Sequence, residues 1–180
     1  TLSQKLTTLG EYVFYECSAI TDITLSQNLT SIGKGAFYWC TSLKEIQIPS
    51  GVTAIKPSTF AWCESLASIT LPDGLRRIEK NAFSICSKLD HIIIPKSVNY
   101  IADRAFDSSY LENVYYVGTK AEWDRIQFED EDVFLLSTIH YSYNAGNSDS
   151  SEETPKETPD EPKPAPPTGD LCEKPIYASN

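Results

Sequence analysis

The chain lacks most features that mark enzymes and membrane proteins. It has only two histidines, His91 and His140, no G-x-S-x-G nucleophile elbow and no closely spaced pair of cysteines that would suggest a zinc site. No apolar run is long enough to cross a membrane. Fifteen basic residues stand against 25 acidic ones, and no basic stripe occurs. Nucleic acid and anionic membranes are therefore poor partners. We expect no membrane insertion by this chain, no enzyme activity, no metal and no cofactor.

What the chain does contain is a repeat of 23 residues. Phenylalanine recurs at this interval in five copies, and a cysteine follows three residues later in the first four. Identical spacing over five copies indicates one structural unit stacked on itself. We expect both series to form columns inside a shared core, made by Phe14, Phe37, Phe60, Phe83 and Phe106 and by Cys17, Cys40, Cys63 and Cys86.

Each copy reads as two short extended segments followed by a turn. The alternation Ile46-Gln47-Ile48 is typical of a half-buried strand, and Pro49 ends that strand because it has no N–H for a ladder. Val52 and Ile55 mark the second segment. The Phe and Cys then share one face of a helical or 3₁₀ turn, since they lie three residues apart. One copy cannot fold alone, so stacked neighbours must supply the remaining stability.

The whole pattern, L-x-x-I-x-I-P-x-x-V-x-x-I-x-x-x-A-F-x-x-C, resembles the BspA-type (Treponema pallidum-type) leucine-rich repeat of bacterial surface proteins. The resemblance covers residues 1–117 in five copies, of which the first is truncated. It implies a strand-dominated α/β fold: a curved, right-handed solenoid with a parallel β-sheet on one face and short helical or 3₁₀ turns on the other. It also implies a secreted or cell-surface location in a bacterium and a role in adhesion or protein binding.

The pattern changes at both ends of the array. The first residues begin in mid-copy, so we expect the natural protein to continue upstream, and an uncapped first repeat would permit end-to-end self-association. In the fifth copy Ser109 replaces the cysteine, and the copy is one residue short.

Residues 118–143 are predicted to form a C-terminal cap. Thr119 is expected to begin a helix with Glu122 completing a capping box, and Trp123 and Ile126 to cover the last open core face. A final short strand is expected around Leu135, Leu136, Ile139 and Tyr141. Residues 144–180 hold seven of the eleven prolines and are strongly acidic, so we expect a disordered linker or tail.

The cysteine column admits disulfides, a metal cluster or buried thiols. Neighbouring strands lie about 4.8 Å apart, within reach of a disulfide. Stacked Cβ vectors, however, point in parallel rather than at each other. A zinc site would need closely spaced pairs of ligands. We therefore favour reduced thiols that pack as small apolar residues.

Two columns of side chains are expected to point outward from the strand face. They are polar without strong charge, with an apolar corner at Ile93 and Tyr115, so this face is either a binding surface for a protein or glycan or an ordinary solvated sheet. Asp90 and His91 are expected to point to opposite faces and not to cooperate. The columns are Asp22, Glu45, Ser68, His91 and Asn113, and Thr24, Gln47, Thr70, Ile93 and Tyr115.

Trp39 and Trp62 form a possible second contact surface on the opposite side. Each precedes a core cysteine and should lean outward, and a row of exposed aromatic rings usually marks a contact. The alternative is that each ring lies flat over the neighbouring repeat as part of the packing.

These observations favour a non-enzymatic, surface-displayed binding or adhesion module for a host or matrix protein, another cell or a glycan. The alternative is a structural spacer or docking domain within a larger cell-surface enzyme or scaffold.

Overall fold

The computed structural model describes residues 2–129, 134 and 136–144. These residues form a parallel β-solenoid of about six turns with little helix, which confirms the predicted strand-dominated leucine-rich stack. The elements are β1 Thr8–Leu9, β2 Ser31–Ile32, β3 Glu45–Gln47, β4 Ala54–Ile55, β5 Ser68–Thr70, β6 Arg77–Ile78, β7 His91–Ile94, β8 Tyr100–Ile101, β9 Asn113–Tyr116, α1 Lys120–Trp123, β10 Gln127–Phe128 and β11 Thr138–His140.

Every strand pair is parallel, and most are offset by one repeat. Glu45 pairs with Ser68, and Arg77 pairs with Tyr100, 23 residues on in each case. The offset falls to 22 between His91 and Asn113, because the fifth copy is one residue short. The first segments form β3–β5 and β7–β9–β11, which we call the strand face. The second segments form β1–β2 and β4–β6–β8–β10.

The segment around each Phe and Cys is predicted from the sequence to be a helical or 3₁₀ turn. In the structure it is instead a series of hydrogen-bonded turns. Two positions of each copy have a positive φ of 53–65°. N–H groups between these two positions close local turns, such as the Tyr38 N–H, which donates to the Gly35 carbonyl at 2.9 Å. These positions are Tyr12, Gly35, Ser58, Asn81 and Arg104, and Glu16, Trp39, Trp62, Ile85 and Ser108.

The left-handed residues explain why this side is not helical. They turn alternate N–H groups toward the following copy: Phe37 donates to the Thr59 carbonyl at 2.9 Å, and Phe60 donates to the Ala82 carbonyl at 2.9 Å. An α-helix would use those donors within its own copy. The turn side is therefore held by a backbone ladder, and the one helix among the described residues is α1.

The core is a set of columns that run through the copies. The five Phe rings stack with centroids 5.2–5.6 Å apart, and Phe37, Phe60 and Phe83 are fully buried. Each buried thiol donates to the carbonyl of the Phe in the preceding copy at 3.1 Å; the donors are Cys40, Cys63 and Cys86. Phe14 and Cys17 are only partly buried.

Burial controls the chemistry of these cysteines, which are free thiols. Desolvation raises the pKa of Cys40 to about 11, helped by the neighbouring Cys17, and it raises the pKa of Cys86 to about 12. The pKa of Cys63 is also raised, chiefly by burial. Because thiolates are the reactive form, these thiols act as small packing groups and weak donors.

The predicted capping box of the C-terminal segment is confirmed. Thr119 Oγ1 accepts from the Glu122 N–H at 3.3 Å, and the Glu122 carboxylate accepts from the Thr119 N–H at 2.8 Å. Trp123 and Ile126 are buried, and the Trp123 ring meets Tyr116 edge-on at 5.2 Å. None of the helices in the described part of the chain is long and apolar enough to span a membrane.

The final strand is shorter than the run of apolar residues from Leu135 to Tyr141 suggests. β11 comprises Thr138–His140, whereas Leu136 is 94% exposed. Leu135 lies outside the described residues, as does the expected acidic tail from residue 145 onward. The division into array, cap and tail stays a prediction.

Candidate functional site

The strand face carries the outward columns in the register that the repeat predicts. Asp22 is bridged to Glu45, and Glu45 is paired with Ser68 in the first column. Ile93 pairs with Tyr115 in the second column, and His140 of β11 extends that column by one position. The inward partners of these strands, such as Ile46 and Ile92, are buried, so alternation along each strand separates core from surface.

On this face the described residues form three grooves. The largest, about 690 Å³, contains Asp22, Thr24, Glu45, Gln47, Ser68 and Thr70. The second, about 410 Å³, is walled by apolar side chains of β5 and β7, including Ile69 and Ile93. The third, about 340 Å³, is lined by Asp90, His91, Ile93, Glu112, Asn113, Tyr115 and Tyr143. All ten strand-face residues singled out in the sequence thus line a groove.

Four rings, His91, Tyr115, His140 and Tyr143, gather at one end of the strand face; we call them the aromatic cluster. Tyr115 stacks on His140 with centroids 4.6 Å apart and meets Tyr143 at 4.7 Å. His91 approaches the edge of Tyr115 at 6.5 Å. A side-chain hydrogen bond of 2.9 Å joins His140 Nε2 to Asn113 Oδ1. These contacts fix the orientation of the Tyr115 ring.

The chain segment that follows β11 completes the cluster. The Ser142 N–H donates to the Gly118 carbonyl at 2.7 Å, and the Tyr143 N–H donates to the Tyr116 carbonyl at 3.0 Å. These bonds lay Tyr143 against Tyr115 and between two grooves. Sequence reasoning missed His140 and Tyr143. The alternation in Thr138-Ile139-His140 was a signal for the outward His140, whereas nothing local indicates the position of Tyr143.

The expectation that Asp90 and His91 cannot cooperate is wrong. Asp90 Oδ1 lies 2.5 Å from His91 Nδ1. Asp90 precedes the first residue of β7, so the alternation of side chains along a strand does not apply to it. Both side chains are more than half exposed, and the pair is a surface contact on the rim of the third groove.

Carboxylates outnumber basic groups along the grooves. Asp22 and Glu45 are direct neighbours across a strand bridge, and the Glu112 N–H bonds to the Asp90 carbonyl at 2.8 Å, which places that second acidic pair in adjacent copies. Lys44 lines the first groove, and no lysine or arginine in the described part of the chain lines the third. Among the described residues, no group of three or more His, Cys, Asp or Glu side chains is placed to hold a metal ion.

The turn side carries the second candidate surface. Trp39 and Trp62 lie 5.5 Å apart with a tilt of 41°, and Trp39 is 40% exposed. Beside them, Tyr15 stacks on Tyr38 at 5.6 Å. Each ring therefore packs against its equivalent in the next copy while leaving an edge in solvent, so packing accounts for much of this column.

Comparison with known proteins places this solenoid in a family. Residues 7–133 match the BspA type leucine rich repeat region in six copies. The chain belongs to the BspA-type leucine-rich repeat family, as its repeat pattern suggested. Members are leucine-rich repeat proteins, a non-enzymatic fold class, and membership indicates a protein-interaction module.

Two crystal structures illustrate the likeness. A leucine-rich repeat protein from Bacteroides ovatus is 36% identical, with a TM-score of 0.61, over 64% of this chain and 32% of that one. The leucine rich repeat protein of T. pallidum is 28% identical, with a TM-score of 0.65, over 77% of this chain and 64% of that one. The chain thus spans less than two thirds of either relative. No curated protein shows significant similarity to it.

Proposed function

We propose that the chain is a non-enzymatic binding module displayed on a bacterial cell surface, where its strand face attaches to a protein or glycan of a host or neighbouring cell. The observation that carries this proposal is the set of three grooves, into which the ten outward side chains of the two columns are gathered. Family membership and the bacterial origin of both similar structures support it.

The geometry of the site favours recognition over chemistry. The grooves run along neighbouring strands, and the aromatic cluster offers partly exposed rings held by contacts with one another. Aromatic side chains of this kind give large contact areas at a low cost in conformational entropy. A surface that is ordered before its ligand arrives loses less entropy on binding.

A binding screen of the full chain against matrix proteins and glycans tests the proposal. The test variant replaces Glu45 and His91 with serine and Ile93 and Tyr115 with threonine, which are the residues that β5 carries at the same positions. The matched control replaces Trp39 and Trp62 with isoleucine, the residue of the next copy at position 85.

Loss of ligand attachment in the strand-face variant, with attachment retained in the tryptophan variant, supports the proposal. Retention in both variants contradicts it. A folded chain that attaches to no ligand in the screen would leave the spacer or docking role as the better account.

A further inference from the structure

The third groove combines an aromatic wall with an acidic rim. Its floor lies between β7 and β9, and the rings of Tyr115 and Tyr143 stand at one side. Asp90 and Glu112 lie at the other side, where both are exposed. At about 340 Å³ the groove is large enough for one long side chain and too small for a folded element.

The aromatic wall suits a flat cation. Tyr115 is partly exposed and has two ring neighbours with centroids 4.6 and 4.7 Å away, so its orientation is set before any ligand binds. The face of such a ring attracts a positive charge within about 6 Å. An uncharged apolar ligand would also pack on it, and the choice between the two depends on the rim.

The rim carries two carboxylates and, over the part of the chain that the structure describes, neither lysine nor arginine. Among the described residues, the Glu112 carboxylate has no ion pair or hydrogen bond, and the Asp90 carboxylate has one polar contact, with His91. Asp22 and Glu45 form a similar acidic pair at the other end of the strand face. Like charges on neighbouring strands repel each other and destabilise the sheet. A cationic ligand relieves that repulsion, so the charge pattern is complementary to a basic partner.

We propose that this groove binds an arginine side chain from a basic segment of a partner protein, with Asp22 and Glu45 contacting a second basic residue. The proposal rests on the binding role assigned to the strand face and names its ligand class. Arginine fits better than lysine because its planar guanidinium stacks on a ring and donates in a fork to a carboxylate.

Titration of the full chain, labelled with ¹⁵N, by the peptide acetyl-Gly-Arg-Gly-Arg-Gly-amide tests this inference. The control peptide carries citrulline, which keeps the shape of arginine and loses its charge. We expect amide shifts centred on His91–Ile93 and Asn113–Tyr115, about tenfold weaker binding of the citrulline peptide, and weaker binding in high salt.

Variants locate the effect. Glu112→Gln should weaken binding of the arginine peptide about tenfold, because one charge-assisted contact is lost from an exposed position where folding is unaffected. Tyr115→Leu should weaken it without changing the salt dependence. Glu64→Gln removes an exposed carboxylate outside all three grooves and should have no effect.

Three results would overturn the inference: equal affinity for the arginine and citrulline peptides, shifts centred away from the third groove, or unchanged binding in Glu112→Gln. Any of them, together with strand-face binding to a matrix protein or glycan in the screen, refutes the arginine site and leaves the binding module intact. Selective glycan binding that is weakened by Tyr115→Leu but insensitive to Glu112→Gln would assign the groove to sugar instead.

Discussion

The stacked phenylalanine column makes the central copy sensitive to loss of its ring. Phe60 is fully buried and stacks on Phe37 at 5.4 Å and on Phe83 at 5.6 Å, with ring planes 5° apart in both cases. Phe60→Ala removes a whole ring from this column. We expect it to lower the free energy of unfolding by about 3–5 kcal/mol, which includes two aromatic contacts of about 0.5–1.5 kcal/mol each.

Phe14 provides a matched control in the same column. It is partly exposed and has one stacked phenylalanine neighbour, Phe37 at 5.2 Å. Because less apolar surface is buried and one ring contact is lost, Phe14→Ala should cost about 1–2 kcal/mol. The two substitutions remove identical atoms, so their difference measures the stacking and burial of the central ring.

Equilibrium unfolding in urea, followed by both far-UV circular dichroism and tryptophan fluorescence, measures these costs. Coincident transitions would justify treating each variant as two-state. A cost below about 1 kcal/mol for Phe60→Ala, or an equal cost for Phe14→Ala, would refute the reasoning that the column is a continuous core.

Other features give further predictions. Burial raises the pKa of Cys40 to about 11 and that of Cys86 to about 12, above the ordinary value of 9.0, so both thiols should escape iodoacetamide at pH 8 in native protein but not in urea. For the same reason the free energy of unfolding should fall as pH rises from 9 to 11, because the unfolded chain ionises these thiols first. Rapid labelling of the native protein, read by mass spectrometry, would contradict the burial argument. Thr119→Ala should lower the free energy of unfolding in urea by about 1 kcal/mol, whereas Thr53→Ala, at an exposed position, should change it by under about 0.5 kcal/mol. Equal effects of the two substitutions would exclude a capping contribution. Gly35→Ala should cost about 1–2 kcal/mol, since φ is +58° and the new Cβ would collide with the Tyr12 ring, whereas Gly74→Ala, whose new Cβ would have its nearest neighbouring atom at 3.6 Å, should change stability by under about 0.5 kcal/mol in the same assay. A harmless Gly35→Ala would show that this backbone relaxes.

The period of the repeat was sufficient to predict the core and the strand register. A spacing of 23 residues fixes which side chains stack, so Phe37, Phe60 and Phe83 had to meet once the copies were stacked in register. The capping box was also local, because Thr119 and Glu122 interact within one turn of helix. Interactions that depend on a repeat or on a few adjacent residues are therefore readable in sequence.

Other features depend on the path of the chain in three dimensions. Tyr143 reaches the strand face because the segment after β11 bonds to the backbone of Tyr116 and Gly118, and no periodic pattern encodes that return. The contact between Asp90 and His91 arises where a strand begins, outside the range of simple alternation. The left-handed backbone at Trp39 and Ile85 was unreadable for another reason: neither residue favours that conformation, and the stack imposes it.

The backbone ladder of the turn side makes the middle copies interchangeable. Phe37, Phe60 and Phe83 each donate to the carbonyl found 22 residues later, so every copy presents to the next the same acceptors that it uses itself. A gene duplication or deletion of one whole 23-residue unit would therefore preserve this backbone ladder and change the length of the stack by about 4.8 Å. The length of the stack can thus change in equal steps during evolution, without redesign of the interior.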